Sequence, residues 1–81
     1  MPPPPPLEEI MELGPLTRRE TQVLALVSAG LQNKQIAARL SLSEHTVKLH
    51  MHNAIVKLKV HNRTEAAMRF AEMRDRIASS A

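Results

Sequence analysis

A chain of 81 residues carries one small domain, because a second core would bury too little surface to offset chain entropy. The absence of cysteine excludes disulfides, thiolate metal sites and a cysteine nucleophile, and no apolar run nears the roughly 20 residues that span a bilayer, which predicts a cytoplasmic chain with no membrane partner. The formal net charge is +3, but Glu8, Glu9 and Glu12 concentrate acid near the start, so residues 15–81 hold eleven basic against five acidic side chains, a balance that favours a polyanionic partner.

Residues 2–6 are five consecutive prolines, which lack amide donors and favour an extended polyproline II spacer. Leu7, Ile10, Met11 and Leu13 recur at helical spacing until Gly14-Pro15 breaks the pattern. Residues 1–15 are therefore expected to be a proline-rich, acidic linker, partly disordered, and residues 16–77 the globular domain. Thr17 and Glu20 form a capping-box pair that opens a first helix, with Val23, Leu24, Leu26 and Val27 on its apolar face. Gly30 suits the left-handed position that ends it, letting Leu31 fold back toward Leu26.

Asn33 is the expected cap of a second helix running from about Lys34 to Leu40, with Ile36, Ala37 and Leu40 inward. Ser41-Leu42-Ser43 reads as a tight turn with Leu42 inward and Ser43 capping the next helix. A short helix, a turn and a longer helix make a helix-turn-helix. At about 100° per residue, Val47, Met51, Ala54, Ile55 and Leu58 form the buried stripe of a third helix over about 44–58. His45, Lys48, Leu49, His52, Val56 and Lys59 share the opposite face, with Thr46, His50 and Lys57 along one flank. Lysines and histidines mixed with two outward aliphatics fit a helix that reads a DNA groove, where aliphatics meet thymine methyl groups, or a surface that packs on another protein.

Asn62 with Glu65 repeats the capping-box pattern and opens a fourth helix to about Arg76, burying Ala66, Phe70, Met73 and Ile77. Residues 78–81 are expected to fray. Ala67 and Ala71 lie beside that stripe, with Met68 further round, as ordinary helix surface or as a contact between two copies. Phe70 is the sole aromatic, so no platform exists for stacking unpaired bases, and duplex DNA remains as the nucleic-acid partner. The histidines do not suggest a metal site or an enzyme. His50 and His52 point about 200° apart on one helix, and His45 and His52 stand about 10 Å apart along it. No cofactor is expected, and the histidines suit hydrogen bonding to DNA that strengthens as they take up protons.

Leu16-Thr17-Arg18-Arg19-Glu20, Gly30-Leu31-Gln32-Asn33-Lys34-Gln35-Ile36-Ala37, Ser43-Glu44-His45-Thr46-Val47-Lys48-Leu49-His50, and Lys57-Leu58 with Val60-His61-Asn62-Arg63-Thr64-Glu65-Ala66 together resemble the LuxR-type (FixJ/NarL-like) DNA-binding domain of bacterial transcription regulators. The resemblance covers nearly all of residues 16–74. It implies an all-α, four-helix helix-turn-helix domain without a wing, the second and third helices forming the DNA-reading unit and the fourth contributing to a homodimer. It also implies base-reading positions at Lys48, Leu49 and His52, and phosphate-contacting positions at Asn33, Lys34, Thr46, His50 and Lys57. Double-stranded promoter DNA, RNA polymerase and a regulatory domain preceding this one are the implied partners. Three positions depart from the family pattern. Lys59 stands where glycine is usual, Ala54 replaces a larger aliphatic, and Val56 occupies a place more often polar. Two rivals remain open at this point. A sigma-factor DNA-binding region shares the Thr-Val-Lys reading helix but needs no fourth helix after it, and an adaptor would use Leu49, Val56 and the basic face to grip an acidic helix.

Overall fold

The computed structural model describes residues 15–80, and the proline run and acidic segment lie outside them. Four helices and no strand occur among the described residues: α1 Arg18–Ser28, α2 Asn33–Leu40, α3 Glu44–Leu58 and α4 Arg63–Ser80. The all-α, four-helix expectation holds. Helix α1 packs against α3 and α4, while α2 packs chiefly against α3. Leu16, Val23, Leu24, Val27, Ile36, Ala37, Val47, Met51, Ala54, Leu58, Ala66 and Phe70 form one core.

Local chemistry sets each boundary. The Thr17 hydroxyl accepts from the Glu20 amide at 3.2 Å while Glu20 Oε1 accepts from the Thr17 amide at 2.9 Å, the reciprocal capping box. At the other end Gly30 takes φ 94°, and the amides of Gly30 and Leu31 reach back to the carbonyls of Val27 and Leu26 at 3.0 and 3.1 Å. This is the Schellman closure, with Leu31 folded onto Leu26 as the sequence predicts. Helix α2 begins one residue earlier than expected. Gln32, not Asn33, is its cap, because the Gln35 side chain reaches back to accept from the Gln32 amide at 2.8 Å. Asn33 is thereby the first helical residue, and its side chain is committed elsewhere.

Two closures use residues that pay a steric penalty. Ser41 (φ 57°, ψ 44°) and Lys59 (φ 57°, ψ 41°) both sit in the left-handed region. The Leu42 amide bonds to the Ala37 carbonyl at 2.9 Å, and the Val60 amide to the Ile55 carbonyl at 3.2 Å, the same six-residue return as after α1. Leu42 is half-buried and packs against the core, so the strained Ser41 turn carries the chain from α2 into α3 with Leu42 turned inward. For a β-carbon-bearing residue each such conformation costs about 1 kcal/mol. At Lys59 the chain accepts that strain instead of ending the helix differently.

The Ser43 hydroxyl accepts from the Thr46 amide at 3.0 Å and starts α3 as predicted. Asn62 Oδ1 likewise accepts from the Glu65 amide at 2.9 Å and starts α4. The return half of that expected box is displaced by one residue. Glu65 Oε2 accepts from the His61 amide at 2.6 Å instead of from Asn62, and lies 3.1 Å from His61 Nδ1. Helix α4 then continues to Ser80, past the expected end near Arg76, since no glycine or proline interrupts it. The expected burial of Ile77 lies outside the described side chains.

Candidate nucleic-acid interface

Helix α3 is held to the core by Val47, Met51, Ala54 and Leu58, all buried, with half-buried Ile55 beside them. That anchoring fixes which side faces outward. His45, Lys48, Leu49, His52, Val56 and Lys59 are all exposed, in agreement with the wheel derived from sequence. Leu49 is 52% and Val56 60% exposed, and with Met68 they are the large apolar side chains that the described surface leaves most open. Lys48, Leu49 and His52 are spaced one and three residues apart, so their Cα positions span about 6 Å along the axis, about one helical turn. A cation, an aliphatic group and an imidazole within one turn can hydrogen-bond to purine edges and contact a thymine methyl.

The flank is more constrained than the sequence suggests. Thr46 is half-buried, with its Oγ1 2.8 Å from Ser43 Oγ, and His50 is also half-buried. Lys57 donates to Glu20 Oε1 at 2.7 Å, with its side chain 35% exposed against 4% for Glu20. Burial pushes the Glu20 carboxyl up, but the Lys57 ammonium and the Thr17 amide and hydroxyl outweigh it and hold the group below its ordinary range. Glu20 was legible only as a capping residue. In the fold it also joins the start of α1 to the last turn of α3.

At the start of α2, Lys34 is exposed and Asn33 half-buried. Arg63, the first residue of α4, donates through Nη1 to Asn33 Oδ1 and through Nη2 to the Leu31 carbonyl at 2.9 Å. Gln32, Asn33, Lys34, Glu44 and Arg63 line one shallow cleft, so the starts of α2, α3 and α4 meet there. Sequence reasoning missed Arg63. The available signal was a cation in the first turn of a helix, where the macrodipole disfavours it, a placement that asks for a tertiary partner.

On α4, Met68 is exposed while Ala67 and Ala71 are half-buried, Ala67 against the core. At the start of that helix the His61 amide, the largest influence, holds the Glu65 carboxyl below its ordinary range. Among the described residues no cluster of three His, Asp or Glu stands close enough for a metal ion, and no helix is long and apolar enough to cross a membrane.

Residues 14–70 match the family described as bacterial regulatory proteins, luxR family. The chain belongs to the luxR family. A LuxR-family domain of this kind is a DNA-binding module of transcription regulators and is not typically enzymatic. The chain is 52% identical over 60 residues to a nitrate/nitrite response regulator protein homolog of Haemophilus influenzae, covering 74% of this chain and 29% of that protein. It is 50% identical over 62 residues to the transcriptional regulatory protein LnrK of Bacillus subtilis, covering 76% and 28%. It is 48% identical over 59 residues to the nitrate/nitrite response regulator protein NarP of Escherichia coli, covering 73% and 27%. The chain thus spans under a third of the length of these relatives.

Proposed function

We propose that this LuxR-family domain binds double-stranded promoter DNA sequence-specifically in the bacterial cytoplasm, with α3 in the major groove. Lys48, Leu49 and His52 meet base edges, and Asn33, Lys34, Thr46, His50 and Lys57 meet phosphates. Two copies joined through α4, with Met68 as the exposed contact and Ala67 and Ala71 beside it, occupy two half-sites. By analogy with the response-regulator relatives, the domain is the output module of a longer regulator whose preceding regulatory domain controls it and which engages RNA polymerase.

The observation that carries this reading is the outward turn of α3 on which Lys48, Leu49 and His52 are exposed together while the opposite side is locked into the core. The chemistry of the flank supports the phosphate assignments unevenly. Lys34 is an exposed cation and Asn33 retains its amide donors, whereas one of the three Lys57 donors is already held by Glu20.

The test is titration of a selected and a random duplex at several salt concentrations with Lys48→Ala, Leu49→Ala and Lys34→Ala. Lys34→Ala should weaken both duplexes alike and lower the salt slope by about one, whereas Lys48→Ala and Leu49→Ala should also alter the preference between them. Equal losses on both duplexes in all three variants would refute the groove assignment. Absence of duplex binding even at low salt would refute the function.

A further inference from the structure

We propose that Arg63 is a positioning residue for phosphate binding, orienting the Asn33 side-chain amide so that its NH2 faces the DNA backbone. The inference rests on the reading of Asn33 as a phosphate-contacting residue and adds the device that makes it competent.

A guanidinium carries five donors and no acceptor, so the Asn33 atom that meets Arg63 Nη1 is the carbonyl oxygen. The NH2 is thereby turned away from Arg63, with both of its donors left for another acceptor. A phosphate offers only acceptors. An Asn33 amide free to rotate would present oxygen to that phosphate in one of its two orientations and donors in the other, and binding would have to select between them.

The second guanidinium arm fixes the frame in which this orientation is useful. Arg63 Nη2 holds the Leu31 carbonyl at 2.9 Å, in the turn that connects α1 to α2. One planar group therefore ties the first residue of α4 both to that turn and to the first residue of α2. A lysine at the same place would keep the charge but not the two-pronged, planar geometry. The local setting of Arg63 is otherwise unfavourable, because a cation in the first turn opposes the helix dipole. Its two tertiary bonds offset that cost.

The cleft around the pair suits a phosphate approaching from one side. Lys34 is exposed next to Asn33 and supplies the charge, while Glu44, from the start of α3, also lines the cleft. Arg63 lines the same cleft but is half-buried, with its guanidinium engaged by Asn33 Oδ1 and the Leu31 carbonyl, so it acts through Asn33.

The experiment measures duplex affinity and its salt slope for the full chain and for Arg63→Lys, Asn33→Ala and the double variant, at a temperature where circular dichroism shows each fully helical. Arg63→Lys and Asn33→Ala are each expected to weaken selected and random duplexes alike by about three- to tenfold. The Arg63→Lys salt slope should not change, and the double variant should be no weaker than the weaker single variant, because both remove one device. Losses that multiply in the double variant would overturn the proposal, as would a silent Arg63→Lys beside a costly Asn33→Ala, which leaves Asn33 its phosphate role. A silent Asn33→Ala would instead overturn the phosphate reading of Asn33, and the proposal with it.

Asn33→Asp supplies an arm that leaves Arg63 intact. One carboxylate oxygen strengthens the bond to Arg63 and the other faces the phosphate, so the thermal midpoint should equal or exceed that of the wild type while DNA binding falls below that of Asn33→Ala. A lowered midpoint would show that no clamp between the two residues exists in solution and would overturn the proposal.

Discussion

Replacing Lys57 with methionine keeps the alkyl stem and removes the ammonium that sits 2.7 Å from the buried Glu20 carboxylate. Removing one partner of a fully buried pair costs about 3–5 kcal/mol, because the charge left behind is unpaired. Here the Lys57 side chain is 35% exposed, so water can reach part of the vacated space, and Glu20 keeps the Thr17 amide at 2.9 Å. A loss of about 2 kcal/mol is therefore expected, which lowers the midpoint by about 8–16 °C in a domain of this size. The dependence on pH follows from the sign of the Glu20 shift. In the wild type its carboxyl titrates below the ordinary value of 4.5, so the pair stabilises the fold fully above that pH and less as pH falls through the depressed folded value. In Lys57→Met, burial, which pushes the carboxyl up, loses its main opponent, and protonation then relieves the variant instead of harming it. The stability gap is accordingly largest near pH 7 and narrows toward pH 3. Thermal unfolding followed by circular dichroism at both ends of that range measures it, with Glu20→Gln/Lys57→Met as a control that recovers part of the loss by removing the stranded charge. A variant as stable as the wild type at pH 7, or a gap that does not change with pH, would refute the reasoning.

Lys59→Gly removes the steric penalty at φ 57° and should raise stability by about 1 kcal/mol, read as a rise in the midpoint of about 4–8 °C. An unchanged or lowered midpoint would show that the left-handed turn after α3 is not strained. Met68→Glu places a charge on the exposed apolar spot of α4 and should shift sedimentation toward the monomer, free and on DNA, without lowering the helix content. Unchanged sedimentation would place the dimer contact elsewhere.

The parts of this molecule legible in its sequence are those decided within a few residues. Thr17, Ser43 and Asn62 bond to amides three positions away, and Gly30 marks its own turn. The Val47-to-Leu58 stripe fixes the outward face of α3 by periodicity alone. Even locally, the reach of a side chain decides between neighbours. Glu65 selects the His61 amide over that of Asn62, and Gln35 moves the α2 cap to Gln32. The Glu20–Lys57 and Arg63–Asn33 bonds join residues 37 and 30 apart, so they depend on how α1 meets α3 and how α4 meets α2. No spacing rule anticipates them. Lys59 stands out only against the family's usual glycine and Ser41 not at all, since neither residue type signals a left-handed backbone.

The central claim is that Lys48, Leu49 and His52, exposed on one turn of a core-locked α3, read base edges in the major groove. Selection from a pool of randomised duplexes with the wild type and with Leu49→Ala tests it directly. The account predicts that the wild type enriches a defined half-site, repeated at a fixed spacing, and that Leu49→Ala relaxes or changes the preference at thymine-bearing positions of that half-site while the spacing is kept. Enrichment of no sequence by the wild type, or an identical half-site for both proteins, would contradict it.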